Sequence, residues 1–217
     1  MSRTILIVDD HPIMRRGYTS LLGRVSGLEI CGEAGSALEA LAMIEQFHPD
    51  LAIVDISLGG MNGIELTKHI RAEHPSTLVL VVSMHDESLY AERSLAAGAR
   101  GYIMKSEVDG AVVDAVKRVL DGGYFVSEAM SSKIFAQFGS RRRDHSLDDP
   151  VERLSDRELE VFELIGLGKS TGEIAAALVI SPKTVETHRT KIRDKLGVAS
   201  GRELMRHAVQ WISGVKS

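Results

Sequence analysis

The sequence predicts an α/β protein: a doubly wound, five-stranded parallel sheet followed by a small all-α domain of four helices. Three observations carry that class. Four apolar runs in the first 125 residues, TILIVDD, LAIVD, LVLVVS and GYIMK, each end in polar side chains. Patterns of helical spacing separate the runs, so the strands lie parallel and their carboxyl ends share one edge. Between 154 and 213, Ser155 with Glu158, Ser170 with Glu173, Ser200 with Glu203, and Ser181-Pro182 mark four helix starts. The expected boundaries are 1–125 for the sheet domain, 126–150 for a linker and 151–217 for the helical domain.

Strand one delivers Asp9 and Asp10, and His11-Pro12 then opens a helix with proline in the first turn, where its missing N–H does no harm. Leu21 and Leu22 are expected to face the sheet. Strand two spans 28–34, and Ser36 caps a helix whose Leu38, Leu41 and Ile44 form the expected inner stripe. Pro49-Asp50 breaks the chain before the central strand, which ends at Asp55. After a glycine-bearing loop comes the helix IELTKHIRAEH, ended by Pro75. Strand four, 78–83, ends in Ser83; a helix begins at His85-Asp86-Glu87 and stops at Gly98, a glycine C-cap. Strand five, 101–105, ends in Lys105, and 108–121 is the last helix of the unit. A short helix fits 127–138. SRRRDHSLDDP then reads as an exposed tether in which Asp144, Asp148 and Asp149 balance Arg141, Arg142 and Arg143.

Taken singly, an aspartate after a strand is a turn former or a helix cap. Polar groups at several strand tips on one edge are different, because open α/β sheets bind ligands there. Carboxylates crowded together raise one another's pKa or enclose a cation. Oxygen-only ligands with room for water suit Mg²⁺ better than zinc or copper. Lys105 and Ser83 add a positive charge and a hydroxyl, the equipment that holds the oxygens of a transferred phosphoryl group. Asp9 and Asp10 make a natural metal pair, which leaves Asp55, alone opposite Lys105, as the nucleophile. The bland alternatives are an ion pair at Lys105 that merely neutralises buried acids and a strand-end cap at Ser83. His11 beside the acid pair reads as a partly exposed first-turn residue, since Mg²⁺ prefers oxygen.

This order of groups, Asp9-Asp10, Asp55, Ser83 and Lys105, resembles the receiver domain of a two-component response regulator, a flavodoxin-like fold. The resemblance implies that Asp10, Asp55 and the backbone carbonyl of Ser57 ligand Mg²⁺, with Asp9 helping through water. Ser83 and Lys105 would contact phosphoryl oxygens, and Tyr102 would rotate inward as Ser83 moves. A sensor histidine kinase would be the phosphoryl donor. Gly59 and Gly60 stand where the family often has a proline-containing turn, and Asn62 where it often has Asp, so a looser loop is expected. Met84 stands where alanine is common and is expected to narrow access to the phosphate. His85 and Ser57, two past Ser83 and Asp55, should border the path of the hydrolytic water and tune the lifetime of the acyl phosphate.

In the carboxy-terminal segment only about Val179 and Ile180 remain for a turn between the second and third helices. The run Ala175-Ala176-Ala177 lets those helices approach closely, which is helix-turn-helix geometry. The third helix puts Val185, Ile192 and Leu196 on one side and Lys183, Glu186, Thr187, Thr190, Lys191 and Arg193 on the other. From 181 to 195 there are 5 basic and 2 acidic residues, on a helix free to enter a major groove. LSDRELEVFELI and EIAAALVISPKTVETHRTKIRDKLG resemble the LuxR-type, or NarL/FixJ-type, DNA-binding domain. That likeness implies that Glu186, Thr187 and Thr190 face base edges while Lys183, Thr184, Arg189 and Lys191 hold phosphates of double-stranded DNA. It also suggests a homodimer formed through the last helix, whose Leu204, Ala208 and Trp211 are expected to face inward.

Residues 1–130 carry 11 basic and 18 acidic side chains, whereas 131–217 carry 15 and 12, so the second half is the candidate for a polyanion. The single cysteine, Cys31, cannot form an internal disulfide and reads as an inert core residue of a reducing compartment. No signal-peptide pattern precedes strand one, and no apolar run approaches the roughly 20 residues of a membrane helix, so a cytoplasmic protein without a membrane partner is expected. The expected function is a transcription regulator switched by phosphorylation of Asp55, a switch with slow self-dephosphorylation and not a turnover enzyme. One rival is a phosphatase or phosphotransferase, which would want an acid where Ser57 stands. The other is a phosphorylation-independent DNA binder that uses the receiver as a dimerisation module.

Overall fold

The computed structural model describes residues 2–139 and 150–214, without the side chains of 109, 110 and 135–139. Arg141 to Arg143 and the three aspartates of the tether lie outside the described residues. The chain divides into two compact units, Met1–Arg141 and Arg142–Ser217.

The first unit alternates β1 (Arg3–Val8), α1 (Pro12–Leu22), β2 (Leu28–Ala34), α2 (Ala37–Phe47), β3 (Leu51–Val54), α3 (Gly63–Glu73), β4 (Leu78–Ser83), α4 (Glu87–Ala97), β5 (Gly101–Met104) and α5 (Val108–Leu120). The five strands are all parallel in the order β2-β1-β3-β4-β5. Val8 pairs with Val54 and Val54 with Val81, so the carboxyl ends of β1 and β3 come out level and β4 runs two residues further, to Ser83. One face of the sheet packs Ile5, Ile7, Ile53, Leu80, Val82 and Ile103 against Tyr18, Leu22, Val112 and Val116. The three central strands are buried on both faces, the reason they read as continuous apolar runs.

Three expectations for this unit change. Leu38 is 76% exposed, and the inner stripe of α2 is Ala37, Ala40 and Ile44. The small alanines let the helix lie close to the sheet, so its buried phase is shifted from the one the leucines suggest. Cys31 is only partly buried because β2 is an edge strand; its thiol donates to the Ile5 carbonyl at 3.4 Å. The span 126–139, expected to begin the linker, belongs instead to the first unit. It contains α6 (Glu128–Gly139), held on α4: the Ser127 amide donates to Glu87 Oε1 at 2.9 Å, Lys133 reaches Glu92 at 3.7 Å, and Met130 is buried.

The second unit opens with a 3-10 turn, Pro150–Arg153, followed by α7 (Asp156–Gly166), α8 (Thr171–Ala177), α9 (Pro182–Leu196) and α10 (Gly201–Ile212). Ser155/Glu158 and Ser170/Glu173 are complete capping boxes. Ser200 makes only half of one, since the Glu203 carboxylate takes the Ala199 amide, not that of Ser200. Leu159, Phe162, Ile165, Ile174, Val185, Ile192, Leu204 and Ala208 fill the core, and Trp211 closes it against Phe162 at 5.5 Å between ring centroids. At Gly166 a Cβ would lie 2.6 Å from the Ala208 carbonyl oxygen, so only glycine lets α7 and α10 approach this closely. The connection from α8 to α9 is tight because Val179 adopts φ 53, a left-handed conformation strained for a β-branched side chain.

Candidate functional site

Strand order sets the place of the first site. In a 2-1-3-4-5 sheet the connections reverse direction between β1 and β3, leaving a crevice at their carboxyl ends. Asp9 and Asp10 follow β1, Asp55 follows β3, Ser83 ends β4, and Lys105 opens the 3-10 turn after β5. Asp55 is fixed from behind: a Cβ on Gly63 would meet its carbonyl oxygen at 2.0 Å, so α3 packs directly against it. The Ile56 carbonyl accepts from the amides of both Leu58 and Gly63 at 2.9 Å, and Asn62 caps α3 through the Glu65 amide at 2.8 Å. The loop carrying Gly59 and Gly60 is therefore pinned at its base.

Lys105 Nζ lies 2.7 Å from Asp9 Oδ2 and 2.7 Å from Asp55 Oδ2, and both acids are almost wholly buried. Burial, reinforced by Asp9, holds the Asp55 pKa above the usual carboxylate range against the pull of Lys105. Burial works against the charge on Lys105 as well, but Asp55 and Asp9 outweigh it and raise its pKa, so the ammonium persists at neutral pH. His11 Nδ1 sits 2.6 Å from Asp10 Oδ1 and 3.4 Å from Asp9 Oδ1, on a ring that stays 63% exposed at the start of α1. The Asp9 carboxylate also accepts from the His11 amide at 2.8 Å.

Donor atoms of Asp9, Asp10, His11 and Asp55 fall within 4.8 Å of one another, a spacing that could hold a metal ion. Asp55 Oδ1 is buried without a well-formed hydrogen bond among the described residues, although the Ser57 amide is near enough to favour its ionised form. An oxygen-rich cluster with one such carboxylate oxygen fits a hard divalent cation. Met84, expected to narrow access, is 73% exposed.

Ser57, Ser83, His85 and Tyr102 form one connected set. The His85 amide donates to Ser83 Oγ at 3.3 Å, and the Tyr102 hydroxyl donates to the His85 carbonyl at 2.7 Å. His85 Nε2 pairs with Ser57 Oγ at 3.0 Å, and its ring stacks on Tyr90 at 4.4 Å. His85 thus ties the loop after Asp55 to the end of β4 and to the aromatic on β5.

The second site is the outer face of α9. Val185 and Ile192 anchor the helix in the core, Ser181 caps its start, and Gly197 ends it at φ 67. Lys183, Glu186, Thr187, Thr190 and Lys191 are exposed; Thr184 and Arg189 are partly buried. Thr184 Oγ1 is engaged with the cap, 2.8 Å from Ser181 Oγ. Thr187 and Thr190 each donate to the carbonyl four residues back at 3.0 Å, so toward a ligand they present methyl groups and acceptor lone pairs. The helix is braced from below: Arg157 donates to the Leu178 carbonyl at 2.7 Å, and Lys195 reaches the buried Glu158 at 2.6 Å. Two side chains that motif spacing did not single out belong to these sites. Arg15 donates to the Asp9 carbonyl at 2.6 Å, and Thr171 on α8 donates to Glu186 Oε1 at 2.8 Å.

Residues 5–117 match the family model described as response regulator receiver domain, and residues 152–208 match bacterial regulatory proteins, luxR family. The chain belongs to the two-component response regulators with a LuxR-type reader domain. The oxygen regulatory protein NreC of Staphylococcus carnosus is 34% identical over 209 residues, covering 95% of this chain and 96% of that protein. A two-component response regulator of the LuxR family from Aurantimonas sp. SI85-9A1 is 34% identical with a TM-score of 0.59, covering 64% of this chain and all of that one. The structure described as a two-component response regulator RcsB-DNA complex superposes over the full length of both chains with a TM-score of 0.58 and 25% identity. In this response regulator, then, the acid cluster lies in the receiver domain and α9 is the third helix of a LuxR-type DNA-binding domain. Among the described residues no helix is long and apolar enough to cross a membrane.

Proposed function

We propose that this response regulator accepts a phosphoryl group on Asp55 from a sensor histidine kinase and thereby switches transcription through DNA binding by its LuxR-type domain. The observation that carries the reading is Lys105 bridging the buried carboxylates of Asp9 and Asp55 at 2.7 Å beside an oxygen-rich cation cluster. Asp10, Asp55 and the Ser57 carbonyl would hold Mg²⁺, with Asp9 acting through water. The ion would neutralise charge on the incoming phosphoryl oxygens. An Asp55 oxygen attacks phosphorus as the P–N bond of a phosphohistidine breaks, and the departing imidazole nitrogen keeps the electron pair and takes up a proton. Lys105 exchanges its carboxylate contact for a phosphoryl oxygen, and Ser83 Oγ leaves the His85 amide to donate to another.

Hydrolysis of the acyl phosphate is slow and self-catalysed; the protein is a switch located in the cytoplasm. Ser57 and His85 stand where water would approach. The phosphorylated form binds double-stranded DNA as a homodimer, and the exposed Met205, Val209 and Ile212 on α10 offer an apolar face for that pairing. Glu186, Thr187 and Thr190 face bases, while Lys183, Thr184, Arg189 and Lys191 hold phosphates. Glu186→Lys should bind DNA more tightly and less selectively. Solution mass and DNA affinity measured with and without a small phosphodonor and Mg²⁺ test the whole reading: both should rise on phosphorylation and neither should in Asp55→Asn.

One observation favours a second reading. Tyr102 is already buried, with its hydroxyl on the His85 carbonyl, which is the inward placement expected of the activated receiver. A receiver fixed in that state would serve as a dimerisation module independent of phosphorylation, and footprints of Asp55→Asn and wild type would then coincide.

A further inference from the structure

Glu186 is the one acidic side chain among the residues of α9 that face outward toward DNA in the proposed docking, and its carboxylate does not hang free. Thr171 Oγ1 donates to Oε1 at 2.8 Å, and Arg189 Nε approaches the same oxygen at 3.7 Å. Neither contact takes Oε2. Thr171 is itself a stiff post: it is the first residue of α8, set in place by the Ser170/Glu173 capping box, with a β-branched side chain of restricted χ1. Only the Thr171 contact is short enough to be a hydrogen bond, so it gives the carboxylate its direction, while Arg189 adds charge.

We propose that Thr171 is a specificity-determining positioning residue, which locks Glu186 so that Oε2 alone is presented to the major groove as a hydrogen-bond acceptor. An acceptor held in one direction selects a base edge with a donor and no neighbouring acceptor. Cytosine, through its exocyclic amino group, fits; adenine places N7 beside its amino group, and guanine and thymine show acceptors. Arg189 on the same carboxylate lowers the repulsion that an acid would otherwise meet from flanking phosphates. Freezing Glu186 before binding removes the loss of rotamer freedom on contact, so the selection is gained without added contacts. The inference rests on the proposed docking of α9 in the major groove.

The test uses the full-length protein, treated with phosphodonor and Mg²⁺, to select from a pool of DNA duplexes randomised across the half-sites. Wild type, Thr171→Val, Thr171→Ser and Glu186→Ala are compared after thermal melting has shown each to be folded. Wild type should enrich cytosine at one position per half-site. Thr171→Val and Glu186→Ala should lose that preference at the same position by about 5-fold or more, within the range of a good base contact, while Thr171→Ser retains it. The salt dependence of Thr171→Val should match wild type. Retention of the cytosine preference by Thr171→Val overturns the proposal, as does a uniform loss of affinity with a shallower salt slope, which marks a phosphate contact. If Glu186→Ala selects the wild-type sequence, DNA reading by α9 survives but the role of Thr171 falls. A wild type that enriches no sequence refutes the docking itself.

Discussion

Replacing Lys105 by methionine keeps the length of the side chain and deletes the one positive charge that lies 2.7 Å from both Asp9 and Asp55. Two buried carboxylates are then left with no ammonium between them, and breaking a buried pair in this way typically costs about 3–5 kcal/mol. The protein can escape part of that cost by taking up a proton. Protonating an ordinary carboxylate costs about 1.4 kcal/mol per pH unit above its pKa near 4, which caps the penalty at about 4 kcal/mol at pH 7 and about 1.4 kcal/mol at pH 5. Asp55 is the acid that takes the proton, since burial and Asp9 already hold its pKa high even with Lys105 present. Its folded-state pKa then stands above its unfolded value, so the folded variant binds more protons and its stability rises as pH falls from 7 to 5. Urea unfolding in the presence of chelator should show Lys105→Met destabilised by about 3–4 kcal/mol at pH 7, shrinking by about 2–3 kcal/mol at pH 5. Adding Mg²⁺ at pH 7 should restore part of the loss. A difference that is flat across pH, or under about 1 kcal/mol throughout, refutes the claim that Lys105 offsets two buried negative charges.

In the reader domain burial acts to raise the Glu158 pKa, but Lys195 and the Ser155 cap outweigh it, so the net shift is downward. The stabilisation is present above the unfolded carboxylate value and lost as pH falls through the lower folded one; Lys195→Met should remove about 1–2 kcal/mol at pH 7, a figure discounted because Lys195 is 38% exposed. Thermal melts of that variant and wild type at neutral and acid pH check the sign. Val179→Gly relieves a left-handed β-branched residue and should stabilise the reader domain by about 0.5–1 kcal/mol after glycine's extra unfolded entropy, readable as a raised melting temperature. Replacing Ser57 and His85 together by alanine breaks their 3.0 Å contact and should change the decay rate of the acyl phosphate several-fold; an unchanged decay curve means that neither side chain borders the water path.

Fold class and the receiver cluster were legible because the chemistry is concentrated at strand tips, where parallel topology alone brings Asp9, Asp10, Asp55 and Lys105 together. What escaped depends on three-dimensional partners that spacing does not encode. The leucines of α2 pointed to the wrong phase because hydropathy ranks Leu38 above Ala37, whereas close packing on the sheet prefers the alanine. That 126–139 packs on the first unit was not legible, because the start of α6 is held by Glu87, forty residues earlier in the chain. Cys31 looked like core because apolarity does not say which strand lies at an edge. Thr171 carries no motif signal, and its contact with Glu186 appears only when α8 and α9 are set side by side.

Mass spectrometry of the intact protein after incubation with acetyl phosphate and Mg²⁺ is the most direct test of the acid cluster as a phosphoacceptor centre. Wild type should gain a single phosphoryl group, labile to hydroxylamine as an acyl phosphate is, and Asp55→Asn should gain none. Equal labelling of both proteins, or no labelling of wild type by either acetyl phosphate or a phosphorylated histidine kinase, would contradict it.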